Sequence, residues 1–178
     1  MPNNPSKPSK KPLVAISSCL LGHSVRYDGA HQLSPRLIAL LEPHFELRPF
    51  CPEVEIGLGV PRAKIQLLER AGSIVCVDQA SLQIDYTERL KQCCDSQSDW
   101  LKKISGYVFK TKSPSCGLSK VKTLRNGIIQ ADGRGIFARQ LVQMLPELPV
   151  LEDDQVDSRS RMSAFIDTVY QFDRKILR

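Results

Sequence analysis

Two apolar periods alternate along the chain. In "PLVAISSC" and "GYVFKT" apolar residues run almost unbroken and stop at small polar ones, the pattern of strands buried on both faces. "FELRPF", "GSIVCVD" and "LPVLED" read as further strands. Between these blocks the period lengthens. "LSPRLIALLEPH" predicts a short helix with Ser34 as N-cap and Pro35 at its first position. "DYTERLKQCCDSQSDWLKKIS" predicts a long helix capped by Thr87, and "GIFARQLVQML" predicts another. "VKTLRNGIIQ" carries Asn126-Gly127, the signature of a two-residue hairpin turn. Beyond it, Met162, Phe165, Ile166, Val169 and Phe172 recur at helical spacing and predict an amphipathic helix packed on the body or on a partner. Strands alternating with helices imply one α/β domain, a Rossmann-like layered fold with a mostly parallel sheet, a small hairpin and a C-terminal amphipathic helix. The expected boundaries are a disordered basic tail over residues 1–11, a folded domain over 12–155 and the helix over 156–178.

In such folds ligands gather at the carboxyl ends of the strands, and three of the six cysteines stand there. Cys19 follows "LVAIS", Cys51 follows "FELRPF", and Cys116 lies just past "GYVFKT" in "KSPSCG". Neighbouring strands would bring these thiols to one edge of the sheet. Cys76, inside the apolar "SIVCV", and the helical pair Cys93 and Cys94 read as core residues. Three convergent thiolates would hold an iron–sulfur cluster and leave one position open, or, second in rank, zinc. The sequence has no Cys-x-x-Cys pair, and His23, His31 and His44 show no helical metal-ligand spacing, which favours a cluster.

Composition narrows the setting. At 178 residues, 42% hydrophobic and 25% charged, the chain is of ordinary globular make-up. No apolar run nears the roughly 20 residues that span a bilayer, so a membrane is not an expected partner. The polar N-terminus leads to an expectation of cytoplasmic location, where a disulfide framework is disfavoured. The net charge of +6 is uneven. Residues 100–139 hold nine Lys or Arg against Asp132, and this stretch contains "KSPSCG". Such a patch suits an anionic partner, either nucleic acid or a phosphorylated small molecule, or is simply a solvated face.

"SSCLLGHSVRYDGAH", "CPEVEIGLGVPR", "DYT" and "KSPSCG" resemble the signature blocks of the TudS- and RudS-type desulfidases, which act on thiouracil and on 4-thiouridine in tRNA. The resemblance runs from about Leu13 to Leu151 and makes residues 12–155 the desulfidase domain. It implies a [4Fe–4S] cluster held by Cys19, Cys51 and Cys116 with its fourth iron open to a thiocarbonyl sulfur. The implied chemistry is a non-redox exchange of C=S for C=O. Such chemistry needs a group to activate water, for which Glu53 is the candidate, and a hydrogen-bonding or proton-relay group, for which Ser113 is; the alternatives are a loop carboxylate paired with a nearby Arg for Glu53 and a turn-forming serine for Ser113. Ser115, Arg26, Arg62 and Tyr27 are candidate substrate contacts. The arginines either meet the base or a phosphate, or pair with Asp28 or Glu55; Tyr27 either stacks on a base or belongs to the core.

Two departures from the family pattern bear on substrate. After "SPSCG" the chain reads "LSKVKTLRNG", heavy in lysine, and it continues into a basic helix. Both favour thiolated RNA, contacted by Lys110, Lys112, Lys120, Lys122 and Arg125, with 4-thiouridine in tRNA as the expected substrate. The alternatives are the same chemistry on free 2-thiouracil or thiouridine nucleosides and nucleotides, an RNA-binding module with a structural metal and no catalysis, and a redox enzyme cycling its cluster. No obligate protein partner is expected.

Overall fold

The computed structural model describes residues 10–177, so the tail expected over residues 1–11 lies almost wholly outside the described residues. β1 (Leu13–Ser17) is one of two inner strands of a four-stranded sheet. It pairs in parallel with β2 (Glu46–Phe50) on one side and β5 (Gly106–Phe109) on the other. β8 (Val150–Glu152) adds in parallel to β5, giving the order β2-β1-β5-β8. All four carboxyl ends therefore share one edge. The chain leaves β1 toward β2 and leaves β5 toward β8, so the order reverses between β1 and β5, where α/β sheets open a crevice.

Helices cover both faces. Val14, Ile16, Val108 and Leu151 pack beneath α1 (Pro35–Leu41) and α6 (Arg159–Ile176). Ala15, Tyr107 and Phe109 face α3 (Thr87–Ser96), α4 (Ser98–Leu101) and α5 (Ile136–Met144). Burial on both sides is why β1 and β5 read as unbroken apolar runs. The α6 stripe, with Met162, Phe165 and Val169 buried, seats directly on β5. Gly106 permits this approach, since a Cβ there would lie 2.9 Å from a Val169 methyl. Ser105 Oγ donates to Asp173 of the same helix at 2.6 Å.

The structure departs from the sequence pattern at three places. Residues 65–70, unassigned from the sequence, form β3 (Ile65–Arg70), an antiparallel hairpin with β4 (Ser73–Asp78). "IQLLER" is as good a helix as a strand by composition; the Ala71-Gly72 turn, both residues at positive φ, closes the hairpin. The predicted small hairpin, β6 (Val121–Arg125) with β7 (Ile128–Gly133), forms around Asn126-Gly127 but is not alone. β3 pairs in parallel with β6, fusing both hairpins into a second sheet of order β4-β3-β6-β7. The expected long helix is broken between α3 and α4, where Gln97 is tied to Glu55 and to the Trp100 indole. Thr87 is not its cap. Asp85 accepts the Thr87 N–H at 2.8 Å, while Thr87 Oγ1 accepts from Cys76 N.

Candidate active site

Three of the four parallel strands deliver a cysteine to the shared carboxyl edge. Cys19 lies in the helical turn Ser18–Leu21 directly after β1. Cys51 precedes the short helix α2 (Pro52–Glu55) after β2, and Cys116 lies in the loop after β5. All three line one cavity of about 950 Å³ between the sheet edge and the second sheet. Cys76, Cys93 and Cys94 are buried in apolar clusters and do not line it, as their sequence settings imply.

The Cys116 loop is fixed from several sides. Ser17 Oγ accepts from Lys110 N, tying the loop's start to β1 at the point of reversal. The first N–H groups of α5 go to the loop itself, Ile136 N to Pro114 O and Ala138 N to Ser115 O. Gly135 lets α5 come that close, because a Cβ there would meet the Ser115 carbonyl at 2.5 Å. Buried Glu152, at the end of β8, accepts from Leu118 N, Ser119 N and Ser119 Oγ. Lys112 takes φ +59°, a conformation that lysine adopts only when its surroundings impose it.

Within this frame a hydrogen-bonded chain crosses the cavity wall. Arg62 donates from Nε (3.1 Å) and Nη2 (2.7 Å) to Glu53 Oε2. Ser115 Oγ donates to Glu53 Oε1 at 2.6 Å, and Ser113 Oγ stands 3.0 Å from Ser115 Oγ. Since Ser115 spends its proton on Glu53, Ser113 donates to Ser115 while accepting from Cys116 N at 3.1 Å. The order is Ser113, Ser115, Glu53, Arg62. A proton can pass along it from the cavity to a carboxylate whose charge Arg62 balances. Arg62 thus pairs with Glu53 and not with Glu55, and Arg26 pairs with Asp28 at 3.3 Å. Tyr27 is half-buried on the cavity wall beneath Lys64, whose ammonium lies 4.7 Å from the ring.

The basic residues divide. Lys112, Lys120 and Lys122 are exposed at the cavity rim. Lys110 is drawn inward to Asp153 at 2.7 Å, and Asp153 also accepts from Thr111 N. Arg125 is outside the cavity lining, held between Glu69 and Asp132. Ser17, Glu152, Asp153 and Lys64 were missed from the sequence. For Glu152 and Asp153 the available signal was their place at the end of "LPVLED", the same strand-end position that singled out the cysteines.

The thiols suit a thiolate-bound group. Burial pushes Cys19 up to about 11 and raises Cys51 and Cys116 as well, so each is neutral near pH 7 and would give up its proton on binding a metal. Donors already surround the sulfurs: backbone N–H groups of Val54 and Glu53 at Cys51, the Ser115 and Ser17 hydroxyls at Cys116. Among the described residues no three His, Cys, Asp or Glu side chains gather tightly enough for a single ion.

An α/β fold that collects thiols and an acid–hydroxyl chain at its strand ends is that of an enzyme working at the sheet's carboxyl edge. The chain belongs to the 2-thiouracil desulfurase family, whose profile matches residues 14–153. It is 29% identical over 137 residues to YbbK, an uncharacterized protein of Bacillus subtilis (strain 168), covering 74% of this chain and 90% of that one. A solved structure of the [4Fe-4S]-dependent thiouracil desulfidase TudS matches with a TM-score of 0.66 and 26% identity, over 88% of this chain and 99% of that one.

Proposed function

We propose that the protein is a [4Fe–4S]-dependent desulfidase that replaces C=S by C=O in a thiolated uracil, with Cys19, Cys51 and Cys116 as the cluster ligands. The observation that carries this is the chain from Ser113 through Ser115 and Glu53 to Arg62, on the same cavity wall as the three thiols. When bound, the cluster supplies a Lewis-acidic iron for the thiocarbonyl sulfur. The residues supply the proton traffic. Glu53, charged and held by Arg62, takes a proton from the attacking water through Ser115 and Ser113, and returns it as hydrosulfide departs. Water and thiocarbonyl become carbonyl and hydrogen sulfide, with no electrons exchanged.

The substrate proposed is 4-thiouridine within tRNA. The cavity walls carry seven Lys or Arg residues and a single carboxylate, Glu53. Lys112, Lys120 and Lys122 at the rim are the contacts that suit a phosphate backbone. A second reading, free 2-thiouracil or its nucleoside, is favoured by the substrate of the TudS neighbour.

The test is iron and acid-labile sulfide per chain after anaerobic reconstitution, beside Cys19→Ala, Cys51→Ala and Cys116→Ala. About four of each, lost in every variant, is the expected result. Zinc, or no metal in a folded chain, overturns the reading. Sulfide release from thiolated tRNA, thiouridine and thiouracil then decides among the substrates.

A further inference from the structure

The second sheet carries a row of apolar side chains on the face turned away from its buried core. Strand register sets Val75 beside Leu68, Leu68 beside Leu124 and Leu124 beside Ile129, so the row crosses all four strands. One residue along, Cys76, Leu67 and Thr123 point the other way and are fully buried. Val75, Leu68 and Leu124 are half-buried and Ile129 is 64% exposed. None of the four belongs to a core cluster among the described residues. A sheet solvated on one face normally turns polar side chains outward. An apolar row in that place marks a surface that meets something.

The row runs into the active-site cavity. Leu124 and Ile129 line it, as do Lys122 and Ala131, the next cross-strand pair of the hairpin. Val121 anchors this end: a Cβ on Gly117, the residue after Cys116, would lie 2.5 Å from a Val121 methyl. At about 3.3 Å per residue, Leu124 stands roughly 10 Å farther along the hairpin. Lys64, Lys120 and Lys122 also line the cavity, and none of them is in an ion pair among the described residues. Arg125 of the same hairpin, by contrast, is neutralised by Glu69 and Asp132. An apolar row bordered by unpaired lysines fits one strand of nucleic acid, with base faces on Leu and Ile and phosphates on lysine. A second copy of this chain fits less well, because face-to-face contact would set like charges against one another. We propose that the row seats the nucleotide next to the thiolated one: the target base of an unpaired RNA segment reaches the thiols while its neighbour packs on Leu124 and Ile129. The inference rests on the RNA reading of the function and adds to it a contact that phosphates do not provide.

The experiment measures fluorescence anisotropy of a fluorescein-labelled oligouridylate of about ten nucleotides with the full chain after anaerobic reconstitution. Wild type, Ile129→Ser and Ile129→Leu are compared across a salt series, with urea unfolding and light scattering of each. The expected result is binding weakened about fivefold or more by Ile129→Ser and restored by Ile129→Leu. The log–log salt slope should stay the same, since no phosphate contact is lost. An unchanged Kd for Ile129→Ser overturns the inference. Weaker binding with a lower urea midpoint also overturns it, and assigns Ile129 to the fold. A wild type that scatters as a dimer and an Ile129→Ser variant that scatters as a monomer overturn it too, and give the row to a second copy. Wild type that binds no oligouridylate overturns this inference and the RNA substrate together. Sulfide release from free thiouracil by that same protein then keeps the desulfidase reading, so the two failures are distinguishable.

Discussion

Glu53 owes its usefulness to two neighbours from distant parts of the chain. Arg62 balances its charge, and Ser115 delivers a proton to its other oxygen. Glu53→Gln keeps the size and most hydrogen bonds but removes the base. We expect iron content to remain while sulfide release falls by about 10²–10⁴-fold, a typical loss for a general base; full activity would remove Glu53 from the mechanism. Lys110 requires a different comparison. Its ammonium is held by Asp153 beside Cys19, not displayed on the surface. Lys110→Met is therefore expected to lower kcat alike on thiolated tRNA and on free thiouridine. A change confined to the KM for tRNA would return Lys110 to the RNA contacts.

The Cys116 loop depends on α5, whose first N–H groups bind the carbonyls of Pro114 and Ser115. The Gly135→Ala methyl has no room, with the Ser115 carbonyl carbon and oxygen both 2.5 Å from it. Pushing the loop from the helix should cost about 1–3 kcal/mol and move Cys116 relative to the other thiols. Urea unfolding of the metal-free protein checks the first expectation, and iron content after reconstitution checks the second. Wild-type values for both would show that the loop does not need this contact.

Charge and burial make the molecule sensitive to salt and alkali in opposite compartments. If the rim lysines meet an RNA backbone, activity on thiolated tRNA falls steeply with salt, and Lys120→Ala with Lys122→Ala makes that dependence shallower by about one unit of log–log slope per lysine. Equal salt response for tRNA and free thiouridine would favour the small substrate. In the interior, burial pushes Cys19 up to about 11 and Cys93 and Cys94 up to about 12 from an ordinary 9.0. The fold thus binds these protons more tightly than the unfolded chain does. Its stability is complete below about pH 9 and declines as pH rises through 11 and 12. The urea midpoint of the metal-free protein should fall across that window; a flat profile would mean that these thiols ionise as freely in the fold as outside it.

The sequence by itself determined what local chemistry can encode. Continuous apolar runs identified β1 and β5, since a strand buried on both faces has no polar side to show. Asn126-Gly127 specified the β6–β7 turn because both residues must take positive φ, and the α6 stripe followed from helical periodicity alone. Strand-end position picked out Cys19, Cys51 and Cys116 against the three core thiols. Tertiary structure decided the rest. "IQLLER" became β3 because β4 pairs with it along its whole length across the Ala71-Gly72 turn, and β6, more than fifty residues away, adds a parallel partner that no local pattern records. That same pairing built the second sheet and closed the cavity. Only the folded chain could show that Arg62 chooses Glu53 over Glu55 and that Lys110 turns inward to Asp153. Each depends on groups far apart in sequence meeting across one sheet edge, where spacing along the chain no longer measures distance.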